Sequence, residues 1–248
     1  MGVNIMMPPS GEWIVEGIDR SPAEEFLLRH QPWRMELQFA SGPKASDFQI
    51  FQPFNRIPLN KLRLISQQLP EDTFKNARVL DIGANVGYNS LYLASEFNCK
   101  VTGIDVVPKH KLVTDELASM VGADVEFLLE SAEDFQRPGE FDIILHLGTL
   151  YHLANPVRSI ERCFRSLKSG GWFALETIGY RSGGDRDLCK WINGYAGDKT
   201  NYWALGEGAI EAIARYSGIG ELKLVLEVSL AAYEKEMFRG LWIGRRSE

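Results

Sequence analysis

With 248 residues and 45% apolar content, the chain can bury one full hydrophobic core and a small appendage. A formal net charge of -6 supplies no global basic field for nucleic acid or anionic lipid, and three widely separated cysteines, Cys99, Cys163 and Cys189, have neither metal-ligand nor redox spacing. No uncharged run approaches the roughly 18 residues that cross a bilayer, and the opening from Met1 to Pro9 has no basic start, no long apolar core and no myristoylation signal. The expectation is a cytoplasmic protein with reduced thiols, no membrane partner and no metal.

Ser21-Pro22-Ala23-Glu24 predicts a helix start, with Ser as cap, Pro at the first helical position and Glu reaching back; Phe26, Leu27 and Leu28 follow. Trp33 to Phe39 alternates as a half-buried strand and ends at Ser41-Gly42-Pro43. A second helix is expected from Pro58 to Leu69, with Leu62, Ile65 and Leu69 inward. Residues 1–70 are too few to stand alone and read as a cap or lid on a domain spanning 71–248.

From Ala77 an apolar run of strand length breaks at Asp81 and at Gly83 and Gly87, then resumes with helical spacing at Leu91, Ala94 and Phe97. Lys100 to Asp105 is a second strand, followed by a helix with Val113, Leu117 and Met120 inward. Val125 to Leu129 and Phe141 to Leu147 are the third and fourth strands. Asn155-Pro156 opens a helix with Val157, Ile160, Phe164 and Leu167 on one face, Ser169-Gly170-Gly171 stops it, and Trp172 to Ile178 is a fifth strand. After an insertion at about residues 180–205 come a helix from Ala209 to Tyr216 and two closing strands, Leu222 to Val228 and Met237 to Ile243. This alternation predicts a doubly wound, Rossmann-like α/β fold, with a mostly parallel seven-stranded sheet and an antiparallel C-terminal strand.

Ligands of such sheets lie at the carboxyl ends of the strands, and the polar residues collect there. Asp81 and the turn Gly83 to Gly87 follow the first strand, where glycines admit a close ligand and the helix N-terminus offers unpaired N–H groups. The two signs side by side suit an amino-acid moiety. Asp105 ends the second strand, at a spacing suited to a carboxylate accepting from both ribose hydroxyls. Glu133 or Asp134, after the third, could hold an adenine edge. Asn85 between the glycines tolerates a left-handed backbone, while Tyr88 stands where a dinucleotide fingerprint departs from this pattern and no phosphate-binding lysine follows. An adenosine ligand other than a dinucleotide is expected.

These residues carry a family resemblance. Asp81-Ile82-Gly83-Ala84-Asn85-Val86-Gly87, Gly103-Ile104-Asp105, Ser131-Ala132-Glu133 and the strand into Leu147 resemble motifs I to IV of the class I S-adenosylmethionine-dependent methyltransferases. The resemblance implies S-adenosyl-L-methionine as cofactor, S-adenosyl-L-homocysteine as product, and Asp81, Gly83, Asn85, Gly87, Asp105, Ala132, Glu133 and Leu147 as cofactor-binding residues. Leu147 to His152, Asn155-Pro156 and Leu175-Glu176-Thr177 are similar to the tRNA wobble-uridine 5-oxyacetate-forming (carboxymethyl)transferases and their methyltransferase relatives. In that family the counterparts of Tyr151 and Arg239 help bind a cofactor carboxylate, but its upstream lysine in a Lys-Gly-Pro context is replaced here by Ser41-Gly42-Pro43. That departure, with the acidic net charge, favours ordinary methyl transfer.

In-line displacement at a sulfonium methyl asks the protein chiefly for orientation, which supplies about 7 to 11 kcal/mol of a barrier in favourable systems. A base is needed only for a protonated acceptor; His152 and His146 are candidates because imidazole titrates near neutrality. The alternative is that His152 bonds to a loop backbone and His146 packs at the strand end. Tyr151 either lines the methyl channel or packs in the core, and Arg239 either binds an acidic acceptor group or pairs with a carboxylate. Trp33, the aromatics from Phe39 to Phe54, and Trp191, Tyr195 and Trp203 either close over a substrate or form lid core. A small-molecule acceptor ranks ahead of tRNA, and a non-catalytic nucleoside-binding module is the third reading.

Overall fold

The structure, a computed structural model, describes residues 4–6, 13–33, 35–48, 61–194, 198–231 and 234–247. In chain order the elements are β1 (Asn4–Met6), β2 (Trp13–Glu16), α1 (Arg20–Arg29), β3 (Leu37–Phe39), α2 (Lys61–Ser66), β4 (Arg78–Ile82), α3 (Tyr88–Phe97), β5 (Lys100–Asp105), α4 (Pro108–Val121) and β6 (Val125–Leu129). There follow β7 (Phe141–Leu147), α5 (Pro156–Ser166), β8 (Leu167–Tyr180), β9 (Lys190–Trp191), β10 (Trp203–Gly206), α6 (Glu207–Tyr216), β11 (Lys223–Ser229) and β12 (Met237–Arg245). None of the described helices is long and apolar enough to cross a membrane. The chain divides into two compact units: Met1–Asn76 with Ala84–Gly103 and Val107–Leu128, and Ala77–Gly83 with Ile104–Val106 and Leu129–Glu248.

In the first unit, β2 pairs antiparallel with β1 and parallel with β3. Trp13 and Val15 alternate inward from β2, Leu37 and Phe39 from β3, and Phe26 and Leu27 from α1. The expected Ser21–Glu24 capping box does not form: Asp19 is the residue before the helix, and Glu24 accepts from Arg20 at 2.7 Å one turn away. Of the expected Trp33–Phe39 strand, Leu37–Phe39 forms β3, while Trp33 is buried and donates its indole N–H to Leu27 O at 2.8 Å. The second helix is Lys61–Ser66, with Leu62 and Ile65 inward; the expected start at Pro58 lies outside the described residues. Trp13 stacks on Tyr88 of α3, with ring centroids 5.4 Å apart. His30 and Arg29 both meet Glu116 of α4, at 2.7 and 2.6 Å.

The main sheet has the strand order β11-β12-β8-β7-β4-β5-β6, with β5 contributing residues to both units. β4, β7 and β8 are mutually parallel, β12 is antiparallel to β8, and β11 is antiparallel to β12. The seven strands on this path and the reversed C-terminal strand match the expected fold class. Two short strands are additional: β10 pairs parallel with β8 through Leu205 and Gly206, and β9 pairs antiparallel with β10. β7 reaches only as far as Glu176 of β8, so the far end of β8 would expose unpaired backbone groups on that edge, and β10 takes them.

α5 differs from the expected face. Asn155 caps it, accepting from Arg158 N at 3.0 Å, and Ser159, Ile160, Cys163 and Ser166 point inward while Val157 is 37% exposed. Leu167 already belongs to β8; Ser169-Gly170-Gly171 lie inside that strand at a register shift against β7, not at a helix stop. Gly170 takes a left-handed backbone there, with φ of 70°.

Candidate active site

Asp81 is buried near the end of β4, level with Leu145 of β7. Gly83 follows with φ of 66°, and an added Cβ would lie 2.0 Å from the Thr149 hydroxyl oxygen. Thr149 is held there by donating to Ile82 O at 3.1 Å. Backbone conformation and the packed hydroxyl therefore both demand glycine. Farther along the turn, Asn85 is left-handed at φ of 52°, and its side-chain oxygen accepts from Val86 N at 2.8 Å. Gly87 caps α3 with φ of 74°, and a Cβ there would come within 2.4 Å of Thr114 Cγ2.

Asp105 is half-buried at the end of β5, and its carbonyl accepts from Glu130 N at 3.1 Å, which brings the ends of β5 and β6 together. Ala132 is buried just beyond β6. The Glu133 carboxylate accepts from the backbone N–H of Asn155, and Asp134 pairs with Arg158 at 2.9 Å. Both acids suggested for an adenine edge thus also tie this loop to the start of α5. Leu147 closes β7 in a buried position, and Gly148 N donates to Glu176 O at 2.8 Å. Asp81, Gly83, Asp105, Ala132, Glu133 and Leu147 therefore stand at the carboxyl ends of four neighbouring strands, all within the second unit.

Beyond β7 the chain makes a single 3-10 turn, Leu150–His152, and a second group gathers around it. Arg239 of β12 grips Glu176 of β8 with two nitrogens, one bond measuring 2.8 Å, and donates to the Tyr151 hydroxyl at 3.1 Å. Its guanidinium carbon lies 4.9 Å from the Tyr151 ring centre. Burial acts to lower the guanidinium pKa, but Glu176 and the Tyr151 oxygen outweigh it and raise it. Burial raises the Tyr151 pKa, with Arg239 opposing, so the phenol is neutral. His152 Nδ1 lies 2.9 Å from Thr200 Oγ1 and 3.1 Å from Thr200 O. Burial lowers its pKa, while the bond to Thr200, Asp198 and Asp105 act in the other direction.

His146 is elsewhere. It is completely buried on β7 against α5, its ring 2.9 Å from Ser159 Oγ, and burial pushes its pKa down to about 3. Trp33 and Phe39 are core residues of the first unit, whereas Trp191 is 56% exposed. Trp191 stacks on Tyr202 with centroids 5.3 Å apart and meets Trp203 edge-on at 4.9 Å. Tyr202 N donates to Tyr151 O at 2.7 Å, fastening the insertion to the 3-10 turn. Phe51, Phe54 and Tyr195 lie outside the described residues. Among the described residues, no group of His, Cys, Asp and Glu side chains is arranged to hold a metal ion. Sequence reasoning did not single out Thr149, Thr200 or Asp198, and gave Glu176 no role: the first packs under a glycine, and the others reach the site through a long insertion and a strand pairing.

A mostly parallel sheet closed by a reversed C-terminal strand, with glycine turns and acids at the strand ends, is a Rossmann-like α/β fold. Residues 80–175 match the family model described as a methyltransferase domain. The chain is similar to a ubiquinone biosynthesis O-methyltransferase of Thiobacillus denitrificans, 31% identical over 130 residues, covering 52% of this chain and 54% of that protein. It is equally similar, at 31% over 104 residues, to a tRNA U34 carboxymethyltransferase of Wolinella succinogenes, covering 42% of this chain and 38% of that protein. The chain spans about half the length of the curated relatives it matches, or less. The crystal structure of the N-terminal domain of EvdMO1 in the presence of SAH and D-fucose superimposes with a TM-score of 0.69 at 19% identity, covering 92% of this chain and 98% of that one. At that identity the likeness speaks for the fold alone.

Proposed function

We propose that the chain transfers a methyl group from S-adenosylmethionine to a small-molecule or biosynthetic-intermediate acceptor by in-line displacement. The observation that carries this reading is the placement of Asp81, Gly83, Asp105, Ala132, Glu133 and Leu147 at neighbouring strand ends in the same unit as the Tyr151-His152 turn. The donor set fits the cosubstrate: Asp105 offers acceptors for ribose hydroxyls, and Asp81 beside the Gly83 turn offers the charge an ammonium needs. Asn85 and Gly87 shape the rest of that turn. When bound, S-adenosylmethionine supplies a methyl group already activated by positive sulfur.

The protein's part is to orient the acceptor and to take a proton where the acceptor carries one. His152 is proposed as that base, since burial keeps its ring neutral and its Nδ1 is anchored on Thr200. His146, locked in the core, is assigned no proton-transfer role. The Tyr151 oxygen accepts from Arg239, leaving its own hydrogen for a donor bond. The double grip of Arg239 on Glu176 meets its charge inside the protein, which supports methyl over carboxymethyl transfer. Trp191, Tyr202 and Trp203 are proposed to form an aromatic wall for the acceptor. Residues 1–70 are proposed as an appendage to the methyltransferase domain at 71–248, which carries the insertion at 180–205. A cytoplasmic location is part of the proposal, supported by the free thiols of Cys99, Cys163 and Cys189.

The test is transfer of labelled methyl from S-adenosylmethionine to a metabolite extract and to bulk tRNA in parallel. Label in the small-molecule fraction is expected; label in tRNA alone overturns the acceptor class. His152→Ala should lower turnover by about 100-fold or more, the low end of what general-base catalysis contributes, while leaving cosubstrate affinity nearly unchanged.

A further inference from the structure

Thr200 Oγ1 stands 2.6 Å from Asp198 Oδ1 and 2.9 Å from His152 Nδ1. A carboxylate oxygen carries no hydrogen, so the short contact with Asp198 is made by the single hydrogen of the Thr200 hydroxyl. That hydroxyl then has only lone pairs for the imidazole. The second neighbour of Nδ1, the Thr200 carbonyl at 3.1 Å, is also an acceptor. Thr200 N donates to the same Asp198 oxygen at 2.8 Å, which holds the loop and its hydroxyl in place.

We infer that Asp198 and Thr200 are positioning residues that fix His152 as its Nδ1–H tautomer, leaving Nε2 as the ring's acceptor nitrogen. The inference deepens the methyl-transfer reading and, for its catalytic meaning, rests on His152 being the base. In that role Nε2 takes the proton released by an acceptor O–H or N–H as the new bond to the methyl carbon forms and the carbon–sulfur bond breaks, its electron pair staying on sulfur. The Asp198 carboxylate, acting through the Thr200 hydroxyl, then faces an imidazolium. These residues come from the insertion between β8 and β10, which gives that segment a part in the chemistry as well as in enclosing an acceptor.

The test reads the tautomer directly, through long-range 15N–1H correlations of the histidine side chains, with the His152 signals assigned by their loss in His152→Gln. The expected result is a protonated Nδ1 and an acceptor-type Nε2. Thr200→Val, which leaves only the backbone carbonyl on Nδ1, should lower the Nδ1–H to Nε2–H ratio roughly 2- to 10-fold, the weight of one hydrogen bond, and Thr200→Ser should restore it. A protonated Nε2 in the parent protein, or a ratio unmoved by Thr200→Val, overturns the inference. Turnover of His152→Gln tests the base separately: full turnover with a protonated Nδ1 in the parent would support the positioning and remove the base.

Discussion

Gly83 and Thr149 show how one contact ties the first strand's turn to the loop after β7. A methyl group at position 83 would overlap the Thr149 hydroxyl, and φ of 66° strains any residue with a Cβ. Gly83→Ala should therefore destabilise the fold by about 1–3 kcal/mol and weaken S-adenosylhomocysteine binding. Adding Thr149→Ala should recover the steric part and leave the backbone part, as read by denaturant unfolding of the single and double variants. Full recovery would mean that φ contributes nothing. His152 makes a second prediction at this scale. Because burial lowers its pKa, the ring loses its proton at lower pH than a free histidine, and the proposed base stays active below about pH 6.5. The acid limb of kcat/KM should have its midpoint below that value and move lower still in Asp198→Asn, since Asp198 favours the protonated ring. A midpoint above the ordinary histidine value would contradict the assignment.

The pairing of β8 with β12 sets the chemistry of the second group. Arg239 stands opposite Ile178 and Leu241 opposite Glu176, so the ion pair is a diagonal across two antiparallel strands. Glu176 is completely buried, and breaking such a pair from one side leaves a buried charge without its partner. Arg239→Met or Glu176→Leu should each cost about 3–5 kcal/mol, and the double variant should be more stable than either single one. Single costs that simply add would show that the pair does not act as a unit. This pairing also marks where the sequence stops being legible. The strands into Asp81, Asp105 and Leu147 could be read because short apolar runs ending in acids or glycines announce themselves locally. The register of β8 against β12 has no local signal, so Arg239 could be placed in a late strand but not beside its carboxylate. The α5 face departs from its helical spacing for a related reason: a strand begins at Leu167, where that spacing alone extends the helix. β9 and β10 have no local signal either: β10 answers a need created elsewhere, the unpaired end of β8, and β9 pairs with β10.

At the scale of the whole molecule, the fold and the cofactor class follow from one hundred or so residues in the middle of the chain, and the acceptor does not. Relatives named for a ubiquinone-pathway O-methylation and for tRNA carboxymethylation match at the same 31% identity, which fits motifs that serve the cosubstrate. The net charge of -6 and the exposed Trp191 stacked on Tyr202 support a small acceptor over a polyanion. The central claim is that the strand-end acids and the Gly83 turn hold S-adenosylmethionine, and calorimetric titration of the whole chain with S-adenosylmethionine and S-adenosylhomocysteine tests it most directly. A single-site isotherm with both ligands, abolished by Gly83→Arg and weakened at least tenfold by Asp105→Ala, roughly the loss of one charged hydrogen-bonding group, is the predicted result. Binding of neither ligand by the folded parent protein would contradict it.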